Sequence, residues 1–125
     1  MTKFDFEDGN GPVPAKKHSN GGGWVADTAK VSVTAYVGPD AMVYGNAWVY
    51  GYAKVYGNAW VYGNALVSGN ALVYGDACVY GNALVYGTAW VFGNARVYGE
   101  ESKVEIKKDR IFINGKWYEE VKDYD

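Results

Sequence analysis

From Val43 to Gly99 a six-residue unit is copied almost unchanged: VYGNAW, VYGYAK, VYGNAW, VYGNAL, VSGNAL, VYGDAC, VYGNAL, VYGTAW, VFGNAR, then VYG. A strict internal period of this kind decides the fold before any single residue does. Counting backwards in sixes carries the frame through Val37, Val31 and Val25, where Gly has left the third place. Thirteen consecutive units begin with Val, from Val25 to Val97, and the first twelve hold Ala at the fifth place, from Ala29 to Ala95. The thirteenth has Glu101 there, and the frame ends.

Six is not a helical period, but it is a whole number of strand periods. Within each unit, Ala-x-Val-Tyr alternates as a short strand does, so Ala and Val point one way and their neighbours the other. Gly-Asn then breaks the strand, because Gly takes positive φ freely and Asn tolerates the left-handed region. Each unit reads as a four-residue strand and a two-residue corner. A strand so short cannot bury its Val alone, so the units must coil and stack.

The pattern Val-x-Gly-Asn-Ala-x resembles the hexapeptide repeat of left-handed parallel β-helices, in which three units make one triangular coil. The resemblance covers Val25 to Ser102. It implies an all-β, triangular solenoid of about four coils, and the left hand comes from the family, since general crossover statistics favour the right. That fold serves acyltransferases, one class of carbonic anhydrase and non-catalytic proteins alike, so it leaves function open. The opening GGGWVADTA (Gly21–Ala29) before the VYGNA units also resembles a group of bacterial and phage-encoded β-helical proteins.

A chain of 125 residues with a net charge of −2 reads as one domain with no call for nucleic acid as a partner. Lys and Arg gather in the end segments and leave no basic stripe along the repeats. A lone cysteine, Cys78, excludes an intrachain disulfide framework and suits a reducing cytosol. Met1–Asp8 is acidic and lacks the apolar run of a signal peptide. No apolar stretch reaches the ~20 residues that span a bilayer. A cytoplasmic location is expected, the host's cytoplasm if the chain is phage-encoded.

Three segments follow. Residues 1–24 form an N-terminal arm and cap, in which Phe4 and Phe6 dock on the first coil and Trp24 lids the open end of the prism. Caps are expected because a solenoid leaves unpaired strand edges and an open core at both ends. Residues 25–102 are the β-helix. Residues 103–125 leave the repeat: Val104–Ile106, Arg110–Ile113 and Lys116–Tyr118 read as strands, with an Asn114-Gly115 hairpin turn. This hairpin is either the second cap or an arm to a neighbouring subunit, and the charged tail Glu119–Asp125 frays.

Of the ten residues that follow Val from 44 to 98, eight are Tyr, one is Phe92 and one is Ser68. Dealing the units out in threes gives three outer faces. The first carries Met42/Tyr44, Trp60/Tyr62, Cys78/Tyr80 and Arg96/Tyr98; the second Trp48/Tyr50, Leu66/Ser68 and Leu84/Tyr86; the third Lys54/Tyr56, Leu72/Tyr74 and Trp90/Phe92. Stacked rings support neighbouring strands, but three such faces exceed the few hundred Å² of apolar patch a monomer usually shows. A homotrimer built on Tyr56, Leu72, Tyr74, Trp90 and Phe92 of the third face is therefore expected, and the trimer is also the habit of the family the repeat resembles. The corner columns, Asn46, Asn64 and Asn82 on one edge and Asp40, Asn58, Asp76 and Asn94 on another, read as amide ladders. Asp40 and Asp76 lie two coils apart, too far to share a metal.

Hexapeptide acyltransferases work through a histidine on the coil and a loop that interrupts the repeats. Here the one histidine is His18, in the arm, where it reads as solvated, and no loop interrupts the units. One histidine cannot supply the three that hold metal in the related carbonic anhydrases. No cysteine-rich metal motif, nucleophile elbow or phosphate-binding glycine loop is present. The expectation is a rigid non-catalytic structural or interaction module with no cofactor and no metal. Two alternatives stand beside it: an acyltransferase-like enzyme using His18 across a subunit interface, and a binder that clamps a planar small ligand between aromatic rows of adjacent subunits.

Overall fold

Val and Ala at fixed places in every unit can both be buried if the chain winds, so that each unit lies over the one three units earlier. The computed structural model has this arrangement. It describes residues 2–98 in full, together with the backbone of three further strands. All the regular structure among the described residues is β.

Three strands open the chain: β1 (Lys3–Asp5), β2 (Pro12–Lys17) and β3 (Trp24–Ala26). Two-residue strands follow every six residues: β4 (Lys30–Val31), β5 (Tyr36–Val37), β6 (Met42–Val43), β7 (Trp48–Val49), β8 (Lys54–Val55) and β9 (Trp60–Val61). The series continues with β10 (Leu66–Val67), β11 (Leu72–Val73), β12 (Cys78–Val79), β13 (Leu84–Val85), β14 (Trp90–Val91) and β15 (Arg96–Val97). The last three are β16 (Lys103–Lys107), β17 (Arg110–Ile113) and β18 (Lys116–Glu119).

Every third strand pairs in parallel, giving three stacks: β3-β6-β9-β12-β15, β4-β7-β10-β13 and β5-β8-β11-β14. Leu66 lies opposite both Trp48 and Leu84, and Val67 opposite Val49 and Val85, so identical places are superposed. The chain is a β-solenoid of about four coils, and the three expected faces are the three stacks. From Val37 to Val97 the valines are fully buried, as are the alanines from Ala35 to Ala95, in one continuous column. Val31, in the first coil, is only partly buried.

The extended pairs are two residues long, shorter than the four expected. The cause is a tight turn on either side. Ala47 N donates to Tyr44 O (3.4 Å), closing a turn around Gly45 and Asn46. Gly45 alone takes the left-handed conformation there, at φ 68°, while the Asn of the repeat keeps negative φ, contrary to the expectation for Asn. A Cβ at Gly45 would lie 2.9 Å from Gly63 N in the next coil, so the corner also demands Gly for space. Backbone bonding nevertheless runs around the corner: Asn46 N donates to Gly63 O (2.8 Å), Trp48 N to Ala65 O (3.0 Å) and Tyr50 N to Val67 O (2.9 Å). In the first coil, which lacks the Gly-Asn corner, Thr28 and Thr34 hydroxyls donate to Gly45 O and Gly51 O instead.

The arm pairs β1 with β2 and β2 with β3, both antiparallel, and so extends the first stack beyond its first coil. Trp24 does not lid the open end. It stands in the outward place before Val25, directly above Met42 on the first face, because β3 keeps the register of the repeat. Residues 18–23 instead lie along the free side of β5. Val37 N donates to Asn20 O (3.0 Å) and Gly23 N to Val37 O (2.9 Å).

At the other end β16 pairs in parallel with β13, with Lys103 opposite Leu84 and Val104 opposite Val85. That step is one residue longer than the eighteen of the regular coil (Leu66 opposite Leu84), so the loss of frame after Glu101 is a single-residue insertion. The segment thus lies on its own chain's second face. β17 and β18 follow antiparallel, with Ile113 opposite Lys116. Asn114 and Gly115, the expected turn, lie outside the described residues, as do Glu101, Ser102 and the tail beyond Glu119.

Candidate functional site

Outward places alternate with buried ones by strand geometry, so each face displays a column of residues before Val and a column after it. On the first face the second column is an unbroken ring stack. Tyr44–Tyr62, Tyr62–Tyr80 and Tyr80–Tyr98 centroids lie 4.9, 5.1 and 5.2 Å apart. The arm seals its upper end: Phe6 stacks on Tyr44 at 4.8 Å and is only 1% exposed, and Phe4 stacks on Trp24 at 4.6 Å. Lys17 Nζ sits 5.7 Å from the Trp24 ring, within cation–π range. Burial pushes the Tyr44 hydroxyl far above the usual phenol range, with smaller contributions from Tyr62, Asp8 and Cys78. The Cys78 thiol is half-buried on this face; burial raises its pKa, the Arg96 guanidinium opposes that, and Asp76 adds to it.

The third face brings together all the residues expected there. Tyr56 stacks on Tyr74 at 5.0 Å and Tyr74 on Phe92 at 5.4 Å, beside Leu72, which lies opposite both Lys54 and Trp90. Trp90 is 44% exposed. Burial raises the Tyr56 and Tyr74 hydroxyls, and Tyr56 raises Tyr74 further. The surface is a flat ladder of rings flanked by aliphatic and indole side chains.

The second face is different. Its column after Val runs Ser32, Tyr50, Ser68, Tyr86, so every other ring is replaced by a hydroxymethyl group. Trp48 and Tyr50 are 46% and 43% exposed. They wall a hollow of about 300 Å³ over Lys30, Val31, Ser32 and Val49.

His18 is half-buried rather than solvated, because its Nε2 lies 2.8 Å from Ala35 O, which also accepts from Asn20 Nδ2 (3.1 Å). The pair fastens the 18–23 turn to the solenoid. A second, more polar hollow of about 490 Å³ lies between this turn and the first coil, bordered by Lys16, Lys17, His18 and Lys30. Among the described residues no three His, Cys, Asp or Glu side chains cluster as metal ligands. In the corner columns Asn58 Nδ2 bonds Asp76 Oδ1 at 3.4 Å, in line with the ladder expected. No described helix is long and apolar enough to cross a membrane.

The expected docking of Phe4 and Phe6 on the first coil is present, against Trp24 and Tyr44 of the first face. One feature of this surface escaped sequence reasoning. The second face is notched twice, at Ser32 as well as Ser68, which the period of eighteen residues already displays. Residues 59–75 match a family model described as the YdcK beta solenoid repeat, so this part of the chain is similar to that repeat. No curated protein and no solved structure matches the chain.

Proposed function

We propose that the protein is a rigid, non-catalytic β-solenoid scaffold that assembles with copies of itself through its outer aromatic surface. The observation that carries this reading is exposure: Trp48, Tyr50, Tyr52, Trp90 and Tyr98 all stand open on a framework whose interior is uniformly filled. Aromatic side chains held rigidly by a repeating backbone lose little freedom on association, and their burial is the main driving term at ~25 cal/mol per Å² of apolar area.

The third face is the trimer contact in this reading, through Tyr56, Leu72, Tyr74, Trp90 and Phe92. Its ladder is continuous and flat, and Lys54 is its single charge. The first face is partly occupied by the arm, which makes it the poorer candidate. Closed symmetry then keeps the exposed rings from recruiting copies without limit. The coil takes the left hand of the hexapeptide family it resembles. The protein works in the cytoplasm, where a lone thiol such as Cys78 stays reduced, and GGGWVADTA favours a bacterial or phage source.

The test is the double variant Tyr74→Lys, Trp90→Lys. Both side chains point away from the core, so far-ultraviolet circular dichroism should remain that of the folded protein. Light scattering should show the mass falling to a third of the wild-type value. An unchanged mass with the fold intact would place the contact elsewhere.

A further inference from the structure

The second face carries a pattern that neither other face has. Strand register sets Val31 against Val49, Val49 against Val67 and Val67 against Val85, so the next residues, Ser32, Tyr50, Ser68 and Tyr86, also follow one another coil by coil. On the other faces every coil from Tyr44 and Tyr56 onward contributes one ring, and rings in adjacent coils stack 4.9–5.4 Å apart with planes within 13° of parallel. A serine in such a column leaves a gap one ring thick. The upper gap, at Ser32, is the hollow of about 300 Å³ walled by Trp48 and Tyr50, and its lining is almost wholly apolar. The lower gap, at Ser68, lies between two rings that project from the coils on either side.

We propose that this face is an isologous interface between two antiparallel copies of the chain, in which the tyrosines of each copy enter the serine gaps of the other. The order gap, ring, gap, ring becomes ring, gap, ring, gap when reversed. A two-fold axis perpendicular to the solenoid axis therefore sets every ring against a gap. Tyr50 of one copy enters the Ser68 gap of its partner, and Tyr86 enters the Ser32 gap; both relations hold in the other direction. The four tyrosines then form one continuous stack at the spacing of the intrachain ladders, drawn from both copies, with the offset-parallel geometry aromatic rings favour. Lys30 also lines the upper gap. The runs of adjacent rings on the first face, Tyr44 to Tyr98, and on the third, Tyr56 to Phe92, cannot interdigitate in this way, because consecutive coils there leave no gap between rings. The partner is thus a second copy of this chain, and self-complementarity of the column is the argument for it. This pairing stands on the second face alone and holds whether or not the third face forms a trimer.

Ser68→Tyr tests it. The change fills the gap with the residue the repeat carries at eight of the ten equivalent places, so the solenoid should be retained. Light scattering should give half the wild-type mass, whatever the starting value. Tyr50→Ser removes the entering ring and leaves a residue the column already holds at Ser32 and Ser68; it should halve the mass as well. A wild-type mass kept by either folded variant overturns the pairing, whereas loss of the trimer contact shows itself only in the Tyr74→Lys, Trp90→Lys variant. The remaining occupant is a free planar aromatic molecule. If the wild-type chain is unpaired, and naphthalene quenches its tryptophan emission but not that of Ser68→Tyr, the gaps hold a small ligand and the pairing is wrong.

Discussion

Val61→Ala and Val31→Ala make the same chemical change in one kind of site at two depths. Val61 is fully buried between coils above and below, while Val31 is partly buried in the first coil. At Val61 the lost transfer free energy of two methyl-sized groups is about 1.6 kcal/mol, at ~0.8 each. The packed valines and alanines around it are held by backbone ladders on both sides and cannot collapse inwards. A residual void of roughly 50 Å³ at about 24 cal/mol per Å³ therefore adds about 1.2 kcal/mol, for a total near 3 kcal/mol. At Val31 the side chain has already kept part of its contact with water, and relaxation is unhindered on the open side, so the loss should stay under about 1 kcal/mol. Urea unfolding followed by circular dichroism measures both, provided the slope of free energy against denaturant is unchanged. Equal losses at the two positions, or a loss at Val61 below that at Val31, would refute the assignment of one continuous interior column that opens at its first coil.

Phe6→Ala should undock the arm from the first face at a local cost of about 3 kcal/mol, since the ring is almost wholly buried against Tyr44. Faster hydrogen exchange at the Ala15 amide, which donates to Thr2 O, would register it, with the amides of β9 to β12 unaffected. Stability should fall as pH rises above about 10, where unfolded tyrosine ionises. The Tyr44 pKa is raised in the fold, so the folded chain holds the extra proton and its advantage, full below that pH, is lost above it. Tyr44→Phe should flatten the decline, and an unaltered pH profile would remove Tyr44 as its source. Cys78 should react with a thiol reagent more slowly than a free thiol at neutral pH and accelerate as pH rises, because burial raises its pKa. Reaction at the rate of an exposed cysteine would contradict its half-buried place beside Arg96.

Much of this architecture is legible in the chain because one period fixes both burial and stacking. Val at every sixth place names the core, and the spacing of eighteen names the vertical neighbours, as Trp48, Leu66 and Leu84 show. What the repeat does not encode was harder to read. The open end of a solenoid calls for a cap and makes Trp24 read as a lid, yet β3 already runs in the register of the first stack and turns the indole outwards. His18 looked solvated for want of a periodic neighbour; its partner, Ala35 O, is a backbone atom that no side-chain pattern announces. The two-residue strands follow from a turn closed by Ala47 N and Tyr44 O, a bond that a propensity argument cannot foresee. Ser68 read alone as a flaw in an aromatic row. Set beside Ser32 in the same column, it becomes half of an alternation.

The central claim is self-association of a rigid solenoid, and the mass of the native protein tests it most directly. Light scattering behind a sizing column, repeated over a wide range of concentration, should give a stable multiple of the 13.7 kDa chain mass. A species of one chain mass at every concentration, with the circular dichroism of a folded β protein, would contradict the account.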